Sequence, residues 1–294
     1  MTVETLLNNT SLTEEEEKQY FRFIEDSALH TLKKTGLNKD EIQKLIENGD
    51  EFQKRIITAV RELSKINQFS EEESESDSEY PSDYKNKGIA EQTNRLRELF
   101  PGIGYANKNL SEQNLPLNAE GWFAIPRWEK IATTYSEAVQ KVFNMIKETR
   151  NGAFFNYRKK QISPRYLRQT NKSNKAFQKI GDEQKDYDIL IVPAQFGLYH
   201  RGRSVRRVRE IMNKREFGLG VFAVGIMLLT HPERLQQYED LWIDCPGDEF
   251  SPNNSEFSES PCFKIGEGDV EFGTFWIGHG SEDYGSVSGF ISNE

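Results

Sequence analysis

An α+β fold is predicted for this chain of 294 residues: a small N-terminal helical module, an acidic linker, then a domain in which helices pack on a mixed or antiparallel sheet. Three observations predict it. Capping signals followed by apolar residues at helical spacing fill the first segment and recur at Thr134. Short apolar runs broken by Gly and Asp fill the C-terminal part. Between them, residues 70–86 are acidic and poor in aliphatic side chains.

The helical module takes residues 1–69. Thr13 and Glu16 form a capping box, and Glu14 to Glu17 lie where a helix N-terminus favours negative charge. Tyr20, Phe23, Ile24, Ala28 and Leu32 then recur near the helical period until Gly36. Asn38 with Glu41 opens a second helix bearing Ile42, Leu45 and Ile46, ended by Gly49. A third is expected from about Asp50, with Phe52, Ile56, Ile57, Val60 and Leu63 on one side. Three amphipathic helices with short connections should pack as an antiparallel unit.

Residues 70–86 read as a disordered linker. The run SEEESESDSEYPSDY repels itself and offers too little apolar surface to offset the entropy of ordering.

The α+β domain takes residues 87–294. A short helix from Ile89 to Phe100 stops at Pro101, and Trp122, Phe123, Ile125 and Trp128 are expected to cover one edge of the core. Thr134 and Glu137 open a helix whose Ala138, Val139, Val142, Phe143 and Ile146 face inward, up to Gly152. Tyr187 to Val192, closed by Pro193, has the character of a buried strand, and Leu241 to Cys245 resembles another. Ser204 opens an amphipathic helix. The apolar window Leu219 to Leu229 is too short to span a bilayer and reads as a buried helix, because Ala, Met and Leu dominate its second half. PCFKIGEGDVEFGTFWIG reads as a hairpin and GSVSGFI as a further strand.

The stretches WEKIATTYSEAVQKVFNMIKETRNG, DILIVPAQFG, HRGRSVRRVRE, EFGLGVFAVGIMLLTHPERL and LWIDCPGDEFSP resemble a family of uncharacterised proteins from candidate-phylum bacterial genomes. The similarity covers most of residues 120–290, and LIENGDEFQ extends it to the helical module. It implies a bacterial origin and brings no activity, cofactor or catalytic residue with it.

Composition narrows the setting. No apolar run is long enough to span a membrane, and the start lacks the basic and apolar regions of an export signal. Two cysteines, Cys245 and Cys262, are too few for a disulfide framework and lack zinc-site spacing. A soluble protein of the reducing cytoplasm is expected. The net charge of -9 hides a segregation: residues 1–85 carry 11 Lys and Arg against 20 Asp and Glu, residues 86–235 carry 26 against 14, and residues 236–294 carry 1 against 13. Acidic ends flank a basic middle. Indiscriminate nucleic-acid binding by the whole molecule is disfavoured, whereas a local basic face is not.

Three clusters could carry function. His200, Arg201, Arg203, Ser204, Arg206 and Arg207 lie between a predicted strand and a helix capped by Ser204, where guanidinium groups and free N–H groups suit an anion. Against this, the arginines could pair with the acidic C-terminal block or form solvated surface. Arg158, Lys159, Lys160, Arg165 and Arg168 alternate with Phe154, Phe155, Tyr157 and Tyr166, as a single-stranded nucleic-acid surface would, unless the rings point inward. Asp244, Asp248 and Glu249 end a predicted strand, where carboxylates can hold Mg²⁺ or act as acid and base, or simply form ion pairs.

No His, Cys or Asp spacing matches a metal motif, and no cofactor is indicated. The preferred expectation is a non-catalytic binding or assembly module whose basic middle meets a phosphate-rich ligand or an acidic protein. The alternative is a hydrolase or transferase acting on a phosphate-bearing substrate. A third, structural reading has the acidic linker or tail fold over the basic face and mask it.

Overall fold

The computed structural model describes residues 14–49, 52, 55, 56, 59 and 68–291. The chain divides into two units, residues 1–64 and 65–294. In the first, α1 (Glu14–Thr35) and α2 (Lys39–Glu47) match the two expected helices. Asn38 caps α2 by accepting the N–H groups of Asp40 and Glu41, and the Glu41 carboxylate accepts the Asn38 N–H, which completes the expected capping box. Thr13 and most of the expected third helix lie outside the described residues. The apolar stripe is not packed away among the described side chains: Phe23, Leu29, Leu32, Leu45 and Ile46 are all exposed.

The second unit is α+β. Its helices are α3 (Ile89–Leu99), α4 (Tyr135–Thr149), α5 (Asn171–Glu183), α6 (Val205–Ile211) and α7 (Val221–Thr230). Its strands are β1 (Gly121–Pro126), β2 (Phe154–Asn156), β3 (Leu167–Gln169), β4 (Ile189–Gln195), β5 (Glu216–Gly218), β6 (Trp242–Asp244), β7 (Asp248–Phe250), β8 (Glu259–Gly266), β9 (Asp269–Trp276), β10 (Tyr284–Ser286) and β11 (Ser288–Phe290). One sheet has the order β1-β4-β11-β5, antiparallel throughout. The other follows β10-β6-β8-β7-β3, with β9 and then β2 on the far side of β8; its β10/β6 and β2/β9 pairs are parallel. Val287 alone separates β10 from β11, so the chain passes from one sheet to the other across a single residue.

Sequence chemistry explains these elements. Thr134 caps α4 by accepting the Glu137 N–H. Its buried stripe, Ala138 to Ile146, lies between the second sheet and α7, with the Phe143 ring 4.5 Å from that of Phe272. Helix α7 is buried along its whole length, as its apolar composition requires. Gly225 of α7 meets α4 so closely that a Cβ there would come within 2.5 Å of Val142 Cγ1. The β8–β9 hairpin turns at Glu267 and Gly268, both at positive φ, the conformation that suits the twist of antiparallel strands.

Three expectations are corrected. Trp122, Phe123 and Ile125 do more than cover the core: they form β1, whose residues are all buried. Pro193 does not end its strand, because it pairs with Trp122 inside β4 while the ladder to β11 starts only at Ala194. Two glutamines serve the gaps that remain. Gln92 of α3 bonds the C=O of Trp122 and the N–H of Ala124 on β1, and Gln184 bonds both main-chain groups of Ile191 on β4.

The third correction concerns residues 70–86. They are not a disordered linker but a strap held on the second unit. Tyr80 and Tyr84, the two rings within the acidic run, anchor it. Their centroids are 4.9 Å apart, Tyr84 packs near Phe196 and His231, and Tyr80 donates to Glu120 at 2.7 Å while accepting from the Leu198 N–H. Aromatic burial supplies what the composition lacks in aliphatic surface.

Candidate functional site

The strap crosses the arginine cluster. Its Glu73 forms an antiparallel bridge with Arg203, the Ser74 N–H donates to Gly202 O, and the Ser204 N–H donates to Glu72 O. Two glycines make room for it. A Cβ on Gly202, whose φ is +74°, would meet Ser74 O, and one on Gly280 would lie 2.5 Å from Glu72 O.

Side chains complete the contact. Glu72 binds Arg206 and accepts the Ser204 hydroxyl at 2.6 Å. Glu73 binds Arg203 at 3.1 Å and also Arg207, while Glu79 binds Arg201. Burial would raise the pKa of Glu72 and of Glu73, but the hydrogen bonds from Arg206, Ser204, Arg207 and Arg203 outweigh it and hold both below the usual carboxylate value. Arg206 is further sandwiched between the rings of Phe69 at 4.2 Å and Trp276 at 5.1 Å.

Two members of the expected anion site are committed inward. His200 is 1% exposed, and its Nε2 lies 2.7 Å from Glu216, which also accepts the Ser288 hydroxyl. Burial would raise Glu216, yet its bonds to His200 and Ser288 hold it low. Ser204 is fully buried and caps α6, accepting from the Arg207 N–H. Both support the loop rather than present themselves to a ligand. The cluster able to meet an anion therefore reduces to Arg201, Arg203, Arg206 and Arg207.

The carboxylates Asp244, Asp248 and Glu249 do not converge on that cluster. Arg209 links the two regions instead, donating to Pro246 O and Asp248 O. Glu249 is the direct cross-strand partner of Arg168 and bonds it at 2.8 Å. Asp248 is fully buried; its Oδ2 accepts the Tyr135 hydroxyl and the Val221 N–H, while its Oδ1 has no partner. Asp244 is 5% exposed, and its carboxylate receives no hydrogen bond. Burial raises both pKa values to about 7. Among the described residues no group of acidic, His and Cys side chains could hold a metal ion. Cys245 and Cys262 are buried free thiols, raised by burial.

The second basic patch is partly spent and partly open. Arg158 bonds Thr274 and Glu259, and Arg168 stacks 3.7 Å from the Phe257 ring as well as pairing with Glu249. Phe154 and Tyr166 pack against the core. Phe155 and Tyr157 stay exposed with their rings 4.6 Å apart, beside exposed Lys159 and Lys160. Arg165 lies against its neighbour Tyr166.

Sequence reading missed two features. The first is Arg234, fully buried, which donates to Leu241 O and Phe196 O and lies 4.1 Å from the Tyr80 ring. The second is a cavity of about 260 Å³ bounded by the end of β1, helix α5 and the start of α7, with Trp128 and Tyr135 in its wall. Its residues are spread over six of these helices and strands, and no local pattern announces them. Tyr80 and Tyr84 flanking Pro81 were the available signal for the strap. Comparison with protein-family models, curated proteins and solved structures yields no match. No helix among the described residues is long and apolar enough to cross a membrane.

Proposed function

We propose that this chain is a non-catalytic binding module in which Arg201, Arg203, Arg206 and Arg207 receive an acidic segment of a partner protein, in place of the chain's own strap. One observation carries the reading. The four arginines already hold Glu72, Glu73 and Glu79 of the strap, whose Glu73 also bridges Arg203 main chain to main chain. The strap is a bound ligand in all but linkage, and its chemistry describes what the surface accepts: carboxylates at adjacent residues where a short turn, Ser70–Glu72, passes into extended chain. The pairs are partly exposed, so salt weakens them and a second acidic segment can compete for the same guanidinium groups. The alternative, a hydrolase or transferase using Asp244, Asp248 and Glu249, has less support, because those carboxylates are buried apart or paired.

Polyglutamate is expected to bind the full chain in a salt-sensitive way, and Arg203→Ala and Arg206→Ala are each expected to weaken it, as measured by fluorescence anisotropy across a salt series. Affinity indifferent to both substitutions sinks the proposal. Tighter binding of an oligonucleotide than of polyglutamate redirects it to a phosphate-bearing ligand.

A further inference from the structure

The cavity beside Tyr135 lies outside the arginine surface and has its own chemistry. Its walls are aromatic: Trp128, Tyr135, Phe177 and Phe222, with Trp128 and Tyr135 meeting edge to face at 6.1 Å between centroids. Its polar lining includes the amides of Gln169, Asn174 and Gln178, none of which makes a side-chain hydrogen bond. At the mouth stand the exposed carboxylates Glu129 and Asp182, neither in an ion pair.

One cation, Arg127, also lines the space, with its Nε and Nη2 donors taken up by main-chain carbonyls. Its guanidinium donates to the carbonyls of Gly181, Gln184 and Tyr187, closing the C-terminal end of α5. The inner wall is formed by Gly220, just before α7. A helix start would ordinarily favour an anion there. Here Asp248 cancels it: Oδ2 takes the Val221 N–H, and the partnerless Oδ1 lies against Gly220, where a Cβ would come within 2.4 Å of it. The lining therefore carries two carboxylates that make no ion pair, Glu129 and Asp182, against the single cation Arg127.

We propose that this pocket binds a small organic cation, an ammonium group carried on a compact apolar or aromatic body. Aromatic faces attract a cation through their quadrupoles, the carboxylates at the mouth draw it in, and the free amides orient its polar edge. A volume of about 260 Å³ suits a molecule the size of a phenylethylamine rather than a nucleotide.

Calorimetric titration of the full chain with 2-phenylethylamine and benzyltrimethylammonium tests this, with 2-phenylethanol as neutral isostere and phenylacetate as anion. Both cations are expected to bind about tenfold or more tightly than the alcohol, and phenylacetate weakest of all. Trp128→Leu should weaken the cations several-fold. The double substitution Glu129→Gln, Asp182→Asn, at exposed positions that folding does not need, should weaken the cations while leaving the alcohol unchanged. Equal affinity for cation and alcohol, preference for phenylacetate, no saturable binding by any probe, or cation binding indifferent to these substitutions overturns the proposal.

Discussion

Replacing Glu72, Glu73 and Glu79 together with glutamine is expected to raise the affinity of the chain for polyglutamate by about tenfold or more at low salt. The strap is covalently tethered and competes at an effective concentration near the millimolar range, so weakening it uncovers the arginines for any ligand in solution. Glutamine keeps the shape and the main-chain bonds of the strap, and Tyr80 and Tyr84 still anchor it. The gain should shrink as salt rises, because the interaction is between partly exposed charges. It should vanish when Arg203→Ala and Arg206→Ala are added. Binding measured by anisotropy that is unchanged by the triple substitution would mean that the strap and the ligand do not share a surface.

Asp244→Asn should stabilise the protein at pH 8 and leave it little changed at pH 4. The carboxyl is buried and receives no hydrogen bond, and burial lifts its pKa from 3.8 to about 7, with only Arg209 acting in the opposite sense. The folded state therefore keeps a proton that the unfolded chain releases between pH 4 and pH 7. Stability from this group is fully present below the unfolded value and is lost as pH rises through the folded one. A shift of about three units corresponds to on the order of 4 kcal/mol at the upper limit. Asp248 contributes in the same direction, and its substitution would also break the bonds to Tyr135 and Val221, so Asp244 isolates the effect more cleanly. His231 acts oppositely: burial lowers it to about 4, so stability falls as pH drops below its ordinary value of 6.5. Urea denaturation at pH 5, 6, 7 and 8 should show a slope in the wild type that the variant reduces; identical slopes in both would contradict the account.

Local signals carried most of the fold. The caps at Asn38, Thr134 and Ser204 are made as their residue types imply, the apolar window became α7, and the Gly-containing hairpin became β8 and β9. What escaped is what has no local period. Strands β2, β3, β5 and β7 hold three residues each, too few for alternation to register, and Pro193 hides the far half of β4. The strap escaped for a different reason. Composition sets the average tendency of a segment to order, whereas two tyrosines and a matching row of arginines more than 100 residues away decided this one. The arginine cluster itself was legible, and the reading in which the acidic linker or tail folds over the basic face included its partner, but charge alone did not distinguish the acidic strap from the acidic C-terminal block. His200 was legible as part of the cluster and turned inward to Glu216, a pairing that only the topology of β5 makes available.

The central claim is that the strap and an acidic partner occupy the same arginine surface. Hydrogen exchange at the N–H groups of Ser74, Ser204 and Leu241, which bond Gly202 O, Glu72 O and Glu79 O, reports directly on whether the strap is seated. With saturating polyglutamate these three amides are expected to lose protection together, while core amides of β4 do not change. Ligand bound at saturation with all three still protected would contradict the claim.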